Sequence, residues 1–215
     1  MGTLYKHDQI MGQRGYDKVE SVRVELGFEG LLAVDSVGLS GCVVLVWKEK
    51  GMCTVLGYRT NFIDVKVEIV GLPCYRFTGF YGLPGSHQRR QSWNIMQTLK
   101  NTSSLPWCIG GDFNDILSFG DKMGRIQQPV WRVDGFRQIV EECELRDLGF
   151  TGNRFAWESH RNTRNLFCER LDRVLTTSQW VFLFPKAQVH HVEAANSDHS
   201  TLFLTLGVSV IRYAF

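Results

Sequence analysis

The chain has 215 residues, 44% of them hydrophobic and 12% aromatic, with a formal net charge of +2. That length suits one domain, and the composition supports a substantial core and excludes extended disorder. The small net charge leaves nucleic-acid binding to a local basic surface, and no apolar run approaches the roughly 20 residues that span a bilayer.

Residues 1–16 show no periodicity, and Gly2, Gly12 and Gly15 predict an irregular tail. No apolar signal region follows Met1, which predicts an intracellular protein, nuclear or cytoplasmic and not secreted. The Asn101-Thr102-Ser103 sequon is then a chance match. Val19, Val22 and Leu26 recur at helical spacing, predicting a short amphipathic helix from Asp17 that Gly27 closes. Strand runs follow at Leu31–Val34, Cys42–Trp47, Cys53–Tyr58, Phe62–Ile69 and Tyr75–Tyr81, separated by Gly, Asp or Pro turns. In the fourth of these, Ile63, Val65, Val67 and Ile69 share one face, which predicts a strand whose other face is wet.

A helix is expected over Ser86–Lys100, with Trp93, Met96 and Leu99 as its buried stripe. Pro106–Gly110 reads as a short buried strand, Val130–Glu144 as a second helix. Further strands are expected near Phe155–Trp157, Arg170–Val174, Gln188–Val192 and Thr201–Leu206. Strands outnumber helices, so the expected class is α/β: a four-layer α/β/β/α sandwich of two mostly antiparallel sheets with helices outside. The domain is expected over 17–206, between tails at 1–16 and 207–215. The six cysteines lack zinc-site spacing, and most lie in apolar runs. They read as small buried hydrophobes in a reducing compartment.

Four short motifs carry candidate chemistry. In Gly110-Gly111-Asp112-Phe113-Asn114, paired glycines end a strand, and Asp112 and Asn114 at i and i+2 point the same way. A carboxylate can hold a water or a hard cation, and an amide can bond a phosphate oxygen. The same stretch also fits a turn followed by an Asx helix cap. In Ser197-Asp198-His199, a histidine beside a carboxylate at a strand entrance suits a general base or a phosphate donor, and equally a polar loop. In Glu169-Arg170-Leu171-Asp172-Arg173, period 2 sets Arg170 and Asp172 on one face. An inward Asp172 needs a partner, either His199 or a surface bridge to Arg170. Tyr81, ending Gly79-Phe80-Tyr81, offers a hydroxyl to a phosphate or packs as a core aromatic.

Tyr-x-x-Pro, Gly-Asp-Phe-Asn, Arg-Leu-Asp and Ser-Asp-His, in this order before a terminal strand, resemble the endonuclease/exonuclease/phosphatase superfamily with its deoxyribonuclease-I-like fold. Trp93-Asn94, Pro106 to Leu117, Asp147-Leu148-Gly149-Phe150, Phe155-Ala156-Trp157 and Glu169 to Arg173 are similar to plant LINE-type retrotransposon endonuclease domains. The likeness covers about residues 17–206. It implies a Mg²⁺-dependent (alternatively Mn²⁺-dependent) phosphodiester hydrolase acting on DNA, with a reverse transcriptase as a downstream partner in the parent element and no membrane role. Asp112 is implied to orient the attacking water, Asn114 to brace it, and Asp172 to hold His199 on the phosphate. Asp198, with Asp112, is implied at the metal, and Tyr81 at a phosphate oxygen.

The departure lies at the start. Family members open with a strand bearing Trp-Asn, followed by a strand ending in Glu-Thr, whose Glu is the principal metal ligand. Here Met11-Gly12-Gln13-Arg14 stands where Met-Glu-Thr-Lys is expected. The resemblance therefore implies a missing first strand, an N-terminal truncation, weakened metal binding and little or no nuclease activity. The competing readings are a non-catalytic nucleic-acid-binding remnant and a phosphoinositide or other phosphate-ester phosphatase of the same fold. For DNA contact, Arg154, Arg161, Arg164, Arg170 and Arg173 make a locally basic stretch that suits phosphate tracking, with His87, Arg89 and Arg90 as a smaller patch. A solvated hairpin accounts for the same arginines.

Overall fold

In the computed structural model of the chain, the described residues are 3–7, 13–34, 42–124, 127–154, 157–159, 167–192 and 201–207. The elements run Thr3–His7 (β1), Gln13–Glu25 (α1), Gly30–Val34 (β2), Cys42–Trp47 (β3), Cys53–Arg59 (β4), Phe62–Val67 (β5), Tyr75–Tyr81 (β6), Arg89–Lys100 (α2) and Trp107–Asp112 (β7). They continue as Lys122–Met123 (β8), Val130–Glu142 (α3), Leu145–Asp147 (β9), Thr151–Gly152 (β10), Trp157–Ser159 (β11), Phe167–Glu169 (β12), Asp172–Thr177 (β13), Ser178–Leu183 (α4), Gln188–Val192 (β14) and Thr201–Thr205 (β15).

Strands β4-β5-β6-β7-β13-β9 form one sheet in that spatial order, and β1-β3-β2 and β10-β14-β15 form two smaller ones. A two-layer core follows from which faces are apolar. One face of the six-stranded sheet (Phe80, Trp107, Ile109) packs against Trp93, Met96 and Leu99 of α2 and Phe136, Ile139 and Val140 of α3. The other face (Ile63, Val65, Val174) packs against Val43 and Leu45 of β3 and Val189 of β14. Alternation then sends Val44 and Val46 to the far side of β3, where Val19 of α1 meets them. The continuous apolar run of β3 is thus a strand covered on both faces, and the layers are α/β/β/α as expected. Most pairings are antiparallel; β6 with β7 is parallel, and α2 supplies the long crossover that a parallel pair requires.

Two expectations are corrected. Among the described residues of 1–16 there is regular structure in place of an irregular tail: Thr3–His7, which carries no Trp-Asn pair, forms a strand antiparallel to β3 with Leu4 opposite Leu45, and α1 already begins at Gln13. None of the three glycines falls within this strand, Gly15 being taken into α1, and the edge of β3 supplies ladder partners that local propensity cannot reveal. The short helix α4 was also not anticipated; its Trp180 is fully buried.

The second correction concerns β5, whose expected wet face is buried at Phe62 and Asp64 and half-buried at Lys66. Asp64, on the side expected to face water, is 2% exposed and meets Arg76 of β6, which is fully buried. Arg76 Nε lies 2.8 Å from Asp64 Oδ1, and its Nη2 lies 2.8 Å from Oδ2. Thr78 Oγ1 donates to Asp64 Oδ1 at 2.6 Å, and Trp107 Nε1 donates to Thr78 Oγ1 at 2.8 Å. Arg76 Nη1 reaches the Leu99 carbonyl at 2.7 Å, tying the end of α2 to the sheet. Such a pair is tolerated because nearly every donor has a partner. Removing one side strands a buried charge, so Arg76→Leu is expected to lower the unfolding free energy by about 3–5 kcal/mol, read from urea denaturation; an unchanged midpoint would contradict this account.

Candidate active site

Register places three of the sequence-derived site residues in one row. Tyr81, the last residue of β6, stands opposite Asp112, the last of β7. Asp112 in turn stands opposite Asp172, the first of β13. Neighbouring strands lie about 4.8 Å apart, so residues in register project side by side from one sheet face. The row sits at the strand ends, where the ladder stops and a cleft opens.

Close backbone approach shapes that end. Gly111 has φ +140°, and a Cβ there would come within 2.1 Å of the Phe80 carbonyl oxygen. Gly82 has the same constraint from the other side: a Cβ would meet the Phe113 carbonyl oxygen at 2.1 Å, and its N–H donates to Asp112 O at 2.7 Å. Only glycine meets both conditions without displacing backbone.

Beyond the strand, Asp112 Oδ1 accepts the Asn114 backbone N–H at 2.8 Å, an Asx turn. Asn114 takes φ +54°, a left-handed conformation that Asn tolerates. Its Nδ2 donates to Asp112 Oδ2 at 3.0 Å and to Gly82 O at 2.8 Å, so both carboxylate oxygens are held by one residue. The turn is present but caps no helix: the next helical turn, a 3-10 turn at Phe119–Asp121, starts from Ser118. Phe113 is 1% exposed and packs between Phe80 and Phe136, anchoring the loop in the core.

The cleft has a volume of about 330 Å³, and Tyr81, Asp112 and Asn114 line it with residues the sequence did not single out for it: Lys122, Gln128, Arg132 and Glu169. Arg89, read as part of an exposed patch, is 5% exposed and also lines the cleft, whereas Arg90 and His87 face outward. Behind the wall lies Asp115, 1% exposed. It accepts from Arg132 Nε at 2.6 Å and Trp93 Nε1 at 3.0 Å. Burial raises the Asp115 carboxyl from its ordinary value, and Arg132, Arg89 and Trp93 oppose that rise. Arg132 Nη2 donates to Asn114 O at 2.6 Å, and its Nη1 to Gln128 Oε1 at 2.8 Å. Gln128 Nε2 donates to Glu169 Oε1 at 2.8 Å, where Lys122 also docks. A continuous polar chain thus runs from α2 around the cleft to β12. The one cue in sequence was Asp115 itself, directly after the Asp-Phe-Asn run.

Arg170 and Arg173 do not belong to a phosphate-tracking surface, which corrects that part of the basic stretch. Arg173 is 1% exposed and contacts Asp121 and Asp147, each at 2.7 Å. Arg170 binds Asp147 at 2.8 Å and stacks over Phe150, not beside Asp172. The period-2 reading failed because regular strand structure breaks at Arg170-Leu171, between β12 and β13. Asp172 is buried, which decides between its inward and surface readings in favour of the inward one. Arg154 is exposed and donates to Gly120 O at 2.8 Å. Asp198, His199, Arg161, Arg164 and Gly12 lie outside the described residues.

For a divalent cation, Asp112 supplies a hard oxygen donor of the type Mg²⁺ takes, and that ion keeps several waters around one or two carboxylates. Among the described residues no cluster of three or more His, Cys, Asp or Glu is close enough to hold a metal. Asp112 is a donor of the right type, and Asp198, the other implied ligand, lies outside the described residues.

The sequence profile of the Endonuclease/Exonuclease/phosphatase family matches residues 12–199. The chain belongs to this family. Among curated proteins no sequence match is found. Solved structures agree on the fold. The endonuclease domain of TRAS1, a telomere-specific non-LTR retrotransposon, superposes with a TM-score of 0.66 at 14% identity, covering 96% of this chain and 98% of that one. D. rerio TDP2, complexed with a single-strand DNA product, gives 0.55 at 13% identity, over 94% and 84%. The human nocturnin catalytic domain, with a bound sulfate anion, gives 0.54 at 11% identity, over 95% and 81%. Family membership and the retrotransposon likeness thus stand as the sequence motifs implied.

The ion pairs behind the cleft carry a pH signature. Burial acts against ionised Asp147, but Arg170 and Arg173 outweigh it and hold its carboxyl below the ordinary value. A depressed carboxylate contributes stability that is complete above its unfolded pKa and is lost as pH falls through its lower folded value. Asp147→Asn is expected to flatten that acid limb in a series of urea unfolding curves; an unaltered limb would refute the assignment.

Proposed function

We propose that this chain is a metal-dependent DNA endonuclease by descent from a retroelement, with catalysis impaired at the cation. The observation that carries the reading is the row Tyr81, Asp112, Asp172, with Asn114 clamped onto both oxygens of Asp112. A water-orienting carboxylate must have a fixed lone-pair direction, and the two Asn114 bonds supply it. In this reading Asp112 positions and deprotonates the attacking water, and Asn114 braces it. Tyr81 donates to a phosphate oxygen, and Asp172 orients His199 toward the scissile phosphate. Asp112 and Asp198 would hold Mg²⁺ (or Mn²⁺), which when bound stabilises charge developing on the phosphate. Arg154, Arg161 and Arg164 contact the DNA backbone.

Gly12 stands where the family places its principal carboxylate ligand, and a glycine offers no side-chain oxygen. With so few protein oxygens on the ion, loss of one removes much of its affinity. The alternative outcome is a remnant that binds nucleic acid without cleaving it. Supercoiled plasmid nicking in Mg²⁺ separates these. The natural chain is expected to nick at or near background. Gly12→Glu is expected to raise nicking by about tenfold or more, the effect of restoring some 1.4 kcal/mol of transition-state stabilisation, and Asp112→Ala in that background to abolish it. Strong Mg²⁺-dependent nicking by the natural chain, lost in Asp112→Ala, would overturn the impairment; no nicking by Gly12→Glu under metal saturation would favour the remnant.

A further inference from the structure

His191 of β14 is a buried titratable group that the cleft does not use. It alternates with Val189 on the inner face of its strand and is 7% exposed. Its Nδ1 lies 2.8 Å from the Asn153 carbonyl oxygen. A carbonyl only accepts, so the proton sits on Nδ1 and the bare nitrogen is Nε2. That Nε2 is buried and has no hydrogen-bond partner among the described residues. The ring stacks on Phe150, with centroids 4.7 Å apart and planes 14° apart. The Arg170 guanidinium carbon lies 4.3 Å from the centre of the same phenyl ring.

A neutral imidazole fits this place and an imidazolium does not. Protonation puts a second N–H at Nε2, where no acceptor waits, and a charge where little water reaches. The charged groups that face the ring are Arg170, just before β13, Arg173 on β13 and Asp147 on β9. Both arginines oppose a further positive charge. Asp147 favours one, but it is already bound to the two arginines. His190, the neighbour on β14, turns to the other face of the strand and meets Thr151 Oγ1 at 2.6 Å. Burial is the largest influence and holds His191 below its ordinary value; the Asn153 bond opposes it and Arg170 adds to it.

For a protonated Nε2 to reach water, something over the ring must move, and the least secured cover is β10. It is an edge strand of two residues, paired in parallel with β14 at Thr151–His190 and Gly152–His191. Gly152 takes φ +97°, and a Cβ there would come within 2.7 Å of the His191 carbonyl oxygen, so glycine is what lets the two backbones touch. Asn153 O on His191 and Thr151 on His190 add to that ladder. Elements with so few contacts open at low free-energy cost. Arg154 follows, tied to the Gly120 carbonyl just before β8, whose Lys122 lines the cleft.

We propose that His191 is an acid-operated latch: taking up a proton at Nε2 releases residues 151–153 from β14 and loosens the tie between the sandwich and the β8 side of the cleft. The proton comes from solvent, and the only covalent change is the new N–H. The latch needs neither metal nor cleavage, so it stands or falls apart from the endonuclease reading. The open form binds the proton at the ordinary imidazole value, 6.5, and the closed form binds it only at lower pH. The closed form is therefore fully favoured above 6.5 and loses ground as pH falls below that value.

The test is amide hydrogen exchange on the full chain, read residue by residue by NMR from about pH 8 to about pH 5, the range in which imidazole titrates. Opening of residues 151–153, corrected for the intrinsic chemistry of exchange, is expected to grow on acidification by up to about tenfold per pH unit, the limit for one proton. Amides of β5 and β6 should keep their protection. His191→Phe retains the stack on Phe150 and should make the opening independent of pH, whereas His190→Gln should keep the slope. Should His191→Phe fail to fold, the His191 Cε1–H resonance of the natural chain, assigned by its proximity to the Phe150 ring protons, must titrate with a midpoint below 6.5. An unchanged slope in folded His191→Phe, loss of the slope in His190→Gln, or a midpoint at or above 6.5 would overturn the latch. Equal loss of protection in β5 and β6 would also overturn it, because that is unfolding of the whole sandwich.

Discussion

The parallel contact between β6 and β7 is the constraint on which the site depends. Where these strands end, Gly111 lies against the Phe80 carbonyl and Gly82 against the Phe113 carbonyl, too near for any side chain. That approach lets Tyr81 and Asp112 finish in the same row and lets the chain turn at once into Asn114. A larger residue at either glycine would separate the two strand ends, and the Asx turn that holds Asp112 would lose its platform, because Gly82 O is one of the acceptors for Asn114 Nδ2.

Around this contact several buried charged groups of the described residues join elements of the fold. Asp64 and Arg76 lie under the sheet and join β5, β6 and α2. Asp121, Asp147, Arg170 and Arg173 join the loop before β8 to β9 and β13. Asp115, with Arg132 and Trp93, joins α2 and α3 to the Asn114 loop. Groups of this kind stabilise less than apolar packing of equal volume, but each permits one geometry and penalises others. These groups bear on elements that meet at the cleft, which the Lys122–Glu169 pair also lines.

The hydrophobic layers explain why the helices can serve the site. Apolar faces of α2 and α3 fill the space over the six-stranded sheet, which brings their first turns to the ends of β6 and β7. Packing therefore sets where Arg89 and Arg132 stand; the polar chain through Gln128 and Glu169 holds Arg132, and the Leu83 and Pro84 carbonyls hold Arg89.

Much of this was legible in the sequence. Periodicity located β3, β6, β14, α2 and α3 closely, because their apolar positions report burial of a particular face. The Gly-Asp-Phe-Asn run marked the carboxylate and its amide, since paired glycines before polar residues signal a strand end with backbone in close approach. What local pattern could not decide were facts that depend on distant partners. Thr3–His7 is a strand because β3 offers an edge; Asp64 is buried because Arg76 meets it; Arg170 and Arg173 face Asp147 because strand structure breaks before Asp172. Arg89 and Arg132, forty-three positions apart by number and on different helices, share one carboxylate only after both helices have packed. The sequence alone determined the family and the layer order. Tertiary structure alone decided which charges are sequestered and which face the cleft, because burial and ion pairing are set by contacts between segments remote along the chain.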